Sequence, residues 1–164
     1  MYITFVEYNT LYDGMEETDF NRLSLEACRV MDVHTTGIDN IKKLKRFFPV
    51  DEDDEQTVKH CAAKLIHTLS QIDRAEIAAI NSLGYEATEH GMRGKVISSI
   101  SAGNESISYV TGGGSSATAI DAAVKDKTAR DRLLAGIVWD YLRGVEDANG
   151  VNLLYMGMYP RGLL

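Results

Sequence analysis

The chain has 164 residues, of which 45% are hydrophobic and 25% are charged, and its formal net charge is −7. This length and composition are typical of one globular domain that buries roughly 68–70% of its unfolded surface without disulfides or metals. The negative charge argues against binding dominated by nucleic-acid phosphates, which needs concentrated Lys and Arg. No apolar run approaches the roughly 20 residues of a membrane span, and the start of the chain has no basic region of the kind that opens a signal peptide.

Helical patterns dominate the first 50 residues. Thr4 and Glu7 have the spacing of a capping box and predict a helix over about 4–12, which ends before Gly14. A second helix is predicted over about 18–36 from apolar residues at helical spacing, namely Phe20, Leu23, Ala27, Val30, Met31 and His34. Residues 38–47 predict one more short helix, stopped by Pro49. Within it, Lys42, Lys43, Lys45 and Arg46 are interpreted as a solvated basic patch.

The longest predicted helix spans about 52–80. The acidic run Asp51–Glu55 at its start complements the helix dipole. One apolar stripe marks its buried face, formed by Val58, Cys61, Ala62, Leu65, Leu69 and Ile72. Cys28 and Cys61 lie among apolar helical positions without CxxC spacing, so we expect two buried, reduced thiols.

A different pattern follows the long helix. Residues 81–94 hold three glycines and no clear period, which predicts a loop. Over about 95–110, Ser alternates with apolar residues on both sides of a turn at Ala102–Asn104, which predicts a β-hairpin. A hairpin alone is marginally stable, so this one is expected to pack on its own helices or on another chain. Thr111–Ser116 is interpreted as a flexible link.

The C-terminal part returns to helical patterns. Residues 117–125 predict one or two helical turns, and residues 128–143 predict a final helix. After a turn at Asn149–Gly150, the tail 151–164 is unusually apolar for a chain end. Its Tyr and Met side chains either close the core or contact a partner. Together, these patterns predict a single domain over 1–164. The predicted fold is mainly α, a small helical bundle of four to five helices with one inserted β-hairpin.

No motif predicts catalysis, a metal site or a cofactor. Gly112–Ala117 matches the dinucleotide-binding glycine pattern, but it lacks the parallel strands and the later acidic residue that this site needs. Asp51, Asp53 and Glu55 have calcium-loop spacing without the required Gly and Glu at the sixth and twelfth positions. His60 and His67 share roughly one helix face without a His-Glu-x-x-His motif. An enzyme that uses these two histidines to bind a metal is a third hypothesis.

The order of segments resembles the small head–tail connector, or head-completion, proteins of tailed phages and prophages of Gram-positive bacteria. The opening Tyr2-Ile3-Thr4 with Glu7-Tyr8, and the Asp19-Phe20 helix, resemble that family's first two helices. The ribbon from Lys95 to Tyr109 is similar to its Ser-rich hairpin, and Leu153–Gly157 to its closing segment. The likeness covers nearly the whole chain, although each motif is short. Met156 departs from it, standing where many members have a basic residue.

This resemblance implies a non-enzymatic structural adaptor of the virion, made in the host bacterial cytoplasm and located at the head–tail interface. Copies would form a ring, about twelve in such systems, through head-to-tail contacts. If these contacts form only on a portal template, a free copy is a monomer. The ring would bind the portal protein and a tail-proximal head-completion or stopper protein. DNA would pass through it without sequence-specific binding, and no membrane or cofactor is implied.

The hairpin and the tail are the predicted contact elements. Strand edges offer unpaired N–H and C=O groups for strand addition, and apolar tails offer Tyr and Met side chains. The predicted interface residues are Val96, Ile97, Ile100, Ile107, Tyr109, Leu154, Tyr155, Met158, Tyr159 and Arg161. The alternative is a small helical regulatory or interaction protein that is not part of a virion.

Overall fold

The computed structural model describes residues 1–88, 91–96, 99–102, 105–108 and 118–163, with side chains placed for 1–78 and 118–163. The described part is mainly helical, as the sequence predicts. Its elements are α1 (Phe5–Leu11), α2 (Glu17–Thr35), α3 (Lys43–Arg46), α4 (Glu52–Ser82), β1 (Leu83–Thr88), β2 (Gly91–Val96), β3 (Ser99–Ala102), β4 (Glu105–Ser108), α5 (Ala119–Lys125), α6 (Lys127–Leu142) and a 3₁₀ turn (Arg161–Leu163).

Local capping explains where the short helices begin. Thr4 and Glu7 form the predicted capping box of α1, and Gly14 follows that helix with a φ of 83°. Thr118 and Asp121 make a second capping box at α5. The sequence places the start of α6 at Thr128, but the cap is Asp126, whose side chain accepts from the N–H of Thr128. The polar residue that begins a helix thus lies two positions earlier than predicted.

Helix α4 forms the centre of the bundle and packs against α2, α5 and α6. All six residues of its predicted apolar stripe are at most 1% exposed. Phe20, Leu23, Ala27 and Met31 of α2 meet this stripe on one side, and Val138 and Leu142 of α6 on another. Cys61 is buried as predicted, whereas Cys28 is only half-buried. Burial raises the pKa of both thiols.

The connection between α2 and α4 is less helical than predicted. Only Lys43–Arg46 is helical, because residues 36–42 instead form a turn closed by a bridge between Thr36 and Lys42. Asp39 accepts from the N–H of Ile41, and Asn40 adopts a φ of 60°, a left-handed conformation that Asn tolerates. The contacts of this turn with the C-terminal tail stabilise it over the helix that the sequence pattern predicts.

Residues 83–108 contain two antiparallel pairs. Strand β1 pairs with β2, from Leu83↔Val96 to Thr88↔Gly91, where the sequence predicts a loop. Three glycines occupy strand positions there and remove the side-chain alternation from which a strand is recognised. Strand β3 pairs with β4, from Ser99↔Ser108 to Ala102↔Glu105, inside the range of the predicted hairpin. Among the described residues, no helix combines the length and apolarity needed to cross a membrane.

Candidate protein-contact surface at the C-terminal tail

The chain after α6 turns back over the bundle. Asp147 closes this turn by accepting from the N–H groups of Asn149 and Val151 at 2.9 and 3.0 Å. Gly150 has a φ of 74°, which confirms the predicted Asn149–Gly150 turn. The N–H of Leu153 then donates to the carbonyl of Val145 at 2.9 Å. Leu153 is fully buried, so the tail is anchored in the core from its first residues.

Lys43 connects the tail to α3. Its side chain is only 1% exposed, and its ammonium group donates to the carbonyl oxygens of Tyr155 and, at 3.4 Å, of Asn152. Burial lowers the pKa of Lys43, while the charges of Asp147 and Asp39 act in the opposite direction. The predicted solvated basic patch is therefore wrong at this residue. The bonds to these two tail carbonyls offset part of the cost of burying the Lys43 charge.

Tyr159 holds the middle of the tail in place. It is 4% exposed, and its hydroxyl donates to Asp147 at 2.6 Å and accepts from the side-chain amide of Asn149 at 3.0 Å. Its ring stacks on Phe47 with the ring centres 4.8 Å apart. Burial and the bond to Asp147 raise the pKa of the Tyr159 hydroxyl. The tail is thus fixed by a polar network as well as by apolar packing.

The turn at residues 36–42 crosses the tail at very short range. The N–H of Tyr159 donates to Asp39 at 2.6 Å, which lowers the pKa of that carboxyl group, and the N–H of Ile38 donates to the carbonyl of Met156 at 3.1 Å. A Cβ atom on Gly37 would lie 2.6 Å from the carbonyl oxygen of Gly157. Only glycine allows the two backbones to approach this closely.

This crossing displays four large apolar side chains to solvent. Ile38 is 73% exposed, Tyr155 49%, Met156 48% and Met158 57%. We call these four residues the tail surface. Their backbone is held by hydrogen bonds to Lys43, Asp39 and Tyr159, so these side chains are presented from a fixed support. Tyr and Met are enriched in protein interfaces, and several exposed apolar side chains on neighbouring backbone are typical of a docking site.

The predicted tail residues divide between support and surface. Tyr155, Met158 and Arg161 are exposed, as an interface needs. Leu154 and Tyr159 are 8% and 4% exposed, so they close the core and cannot contact a partner in this conformation. Their assignment as interface residues is corrected. Burial therefore assigns Leu154 and Tyr159 to the core and leaves Tyr155 and Met158 accessible to solvent.

The predicted hairpin residues fall on two different strand pairs. Val96 ends β2 and pairs with Leu83, whereas Ile100 of β3 pairs with Ile107 of β4. The sequence pattern places Val96 and Ile100 on one hairpin, whereas in the structure they belong to two different strand pairs. Ile97 and Tyr109 lie outside the described residues, as does the Gly112–Ala117 motif.

Sequence reasoning missed Ile38 and the three residues that fix the support, Asp39, Lys43 and Asp147. Ile38 follows a helix-ending glycine and Lys43 lies in a run of charge, so neither carries a distinctive local pattern. The one available signal was the apolar composition of the tail, because so many apolar side chains at a chain end need a surface of the same fold to pack against.

The two histidines of the enzyme hypothesis are in different surroundings. His67 is half-buried and stacks on Tyr12 with ring centres 4.2 Å apart, and burial lowers its pKa. His60 is exposed. Across the described ranges, no group of three or more His, Cys, Asp or Glu side chains could hold a metal ion.

Comparisons with protein families, with curated proteins and with solved structures find no match to this chain.

Proposed function

We propose that this chain is a structural adaptor of phage virion assembly. Copies would form a ring between the portal and the tail, extend the DNA channel and offer a docking surface to the next protein. The order of sequence motifs, which resembles that of head–tail connector proteins, supports the proposal. The mainly helical fold is compatible with it.

The tail surface is the observation that carries the proposal. Four large apolar side chains are exposed on neighbouring stretches of backbone, and this backbone is fixed by part-buried hydrogen bonds to Lys43 and Asp39. A fixed support reduces the entropy that a surface loses when it binds a protein partner. This arrangement suits an adaptor, which functions by binding other proteins and not by catalysis.

The inserted β-hairpin is the second proposed contact element. Within residues 95–110, Ile100 and Ile107 belong to the β3–β4 pair and Val96 ends β2. Together with Ile97 and Tyr109, they would bind the portal or a neighbouring copy through strand edges. The pairing of β3 with β4 gives this segment two such edges. Deleting residues 95–110 should abolish portal binding or ring formation, and the hairpin assignment fails if both survive.

Portal binding tests the tail surface. The double variant Tyr155→Ser/Met158→Ser should lose binding to the portal or to the tail-proximal protein in a pull-down with either purified partner. The matched control is Val6→Ser, an apolar residue that is 75% exposed on α1, and it should bind as the wild type does. Unchanged binding of the double variant would remove the tail surface from the proposal. A discrete small dimer in the presence of portal would favour the helical regulator instead.

A further inference from the structure

A groove runs along the outer side of α2, next to the turn at residues 36–42. Its volume is about 630 Å³, and its walls include Met1, Leu25 and Val33. These three apolar side chains are 69%, 70% and 61% exposed. We call this feature the α2 groove.

The rim of the α2 groove is basic, although the protein is acidic overall. Arg29, Lys42 and Lys45 line it, and all three are exposed. The carboxylate in the lining, Asp32, is buried and lies 2.7 Å from the ammonium group of Lys45. No described carboxylate forms a salt bridge with Arg29 or Lys42. An apolar channel with cations along its edge fits an occupant that is apolar and negatively charged.

The same chain displays such a segment at the start of α4. Val50 is 78% exposed, and Asp51, Glu52 and Asp53 follow it on the surface. We call Val50–Asp53 the acidic corner. Asp51 accepts from the N–H groups of Asp53 and Asp54, which fixes the turn, while the side chains of Glu52 and Asp53 have no cationic partner among the described residues.

We propose that the α2 groove receives the acidic corner of a second copy of this chain. None of residues 50–53 lines the groove, so the contact joins two different patches of one protein. Such head-to-tail contacts close rings when the rotation allows it. The inference deepens the proposed ring assembly, on which it rests, by naming the contact between neighbouring copies.

Charge and size make this contact weak in solution. Exposed ion pairs contribute little each and are screened by salt, and one corner in one groove buries less area than a stable interface needs. Neighbouring copies would therefore remain together when a ring or a template raises their effective concentration. A nucleic-acid occupant is disfavoured, because apolar walls and a short cationic rim do not follow a phosphate backbone.

Reciprocal charge reversal tests the contact by sedimentation velocity of the purified full chain. The groove variant is Arg29→Glu/Lys42→Glu, and the corner variant is Glu52→Lys/Asp53→Lys. In salt of about 0.02 M, up to protein concentrations of about 1 mM, the wild type should self-associate, and each variant alone should do so about tenfold more weakly. The combined four-substitution chain, and an equal mixture of the two variants, should regain association. Association should fall in salt of about 0.5 M.

The matched control for the groove variant is Lys125→Glu/Arg143→Glu. It changes the net charge by the same amount as the groove variant, but at exposed residues outside the groove. It should associate as the wild type does. A cooperative urea transition should show that every variant is folded, with a lower midpoint for the corner variant because its lysines replace acidic residues in the first turn of α4. A wild type that stays monomeric throughout, or no recovery in the combined chain, overturns the proposal and leaves portal binding to its own test. Loss of portal binding by the groove variant with unchanged self-association would also overturn it, by assigning the groove to the portal.

Discussion

At the scale of single residues, the structure depends on polar groups whose role the sequence does not reveal. Lys43 lies in a run of four basic residues in five, three of which are exposed, and yet Lys43 is buried against the tail. Periodicity separates apolar from polar faces, but it cannot show which lysine meets a carbonyl that is more than 100 positions away. The support of the tail surface was therefore beyond sequence reasoning, whereas the exposure of Tyr155 and Met158 was within it.

Lys43→Met should lower the free energy of unfolding by about 1–2 kcal/mol, because it removes the donor to the part-buried carbonyl of Tyr155 and leaves the carbonyl of Asn152 with the N–H of Tyr155 alone. Urea denaturation followed by circular dichroism measures this loss. The control Lys42→Met, at the exposed neighbouring position, should change stability by less than about 0.5 kcal/mol. Equal effects of the two substitutions would contradict the buried role of Lys43.

Glu7 should make stability depend on pH. Its carboxylate lies 2.8 Å from the ammonium group of Lys59 and accepts from the N–H of Thr4, also at 2.8 Å. The bond from Lys59, followed by those from Thr4, lowers the pKa of Glu7 from 4.5 to about 2. A lowered carboxyl pKa stabilises the fold above the ordinary pKa, and this stabilisation is lost as the pH falls towards 2.

Glu7→Gln should therefore be about 1 kcal/mol less stable than the wild type at pH 7, a value reduced for the partial exposure of the side chain. The two proteins should converge as the pH approaches 2. Urea midpoints at pH 7, 5, 4 and 2.5 measure the difference. A difference that does not change with pH would show that the ion pair is not its source.

At the scale of elements, periodicity predicted the long helices well. The bounds of α1, α2, α4 and α6 lie within two residues of the prediction, because α2, α4 and α6 bury several apolar residues at helical spacing and α1 begins at a capping box. The pattern failed where backbone contacts decide the structure. The turn at residues 36–42 is shaped by its crossing with the tail, and β1 and β2 carry glycines in place of alternating side chains.

Two glycine substitutions separate a close backbone crossing from ordinary helix propensity. Gly37→Ala should lower stability by about 1–3 kcal/mol, because its Cβ would lie 2.6 Å from a backbone oxygen of the tail. Gly136→Ala, in the middle of α6 with no atom within 4 Å of the new Cβ, should raise stability by about 0.5–1 kcal/mol. Thermal unfolding of both variants measures the contrast, and a neutral Gly37→Ala would contradict the tight crossing.

At the scale of the whole molecule, one closed core carries several exposed apolar features. Within the described residues, the apolar stripe of α4 is at most 1% exposed, and most of it belongs to one core cluster. The tail surface and the walls of the α2 groove remain in solvent, and the proposed adaptor function gives both of them partners. Sequence order suggested which class of assembly to consider. The acidic run at the start of α4 is visible in the sequence, but the α2 groove is visible only in the three-dimensional arrangement.

Electron microscopy of the chain mixed with a purified portal protein tests the central claim most directly. The portal to use is one encoded beside the gene for this chain, where the proposed function places portal and capsid genes. We expect a ring of this protein stacked on the portal, with a continuous central channel and with the hairpin or the tail surface at the contact. A portal that remains bare while the chain sediments as a free monomer or small dimer would contradict the adaptor function.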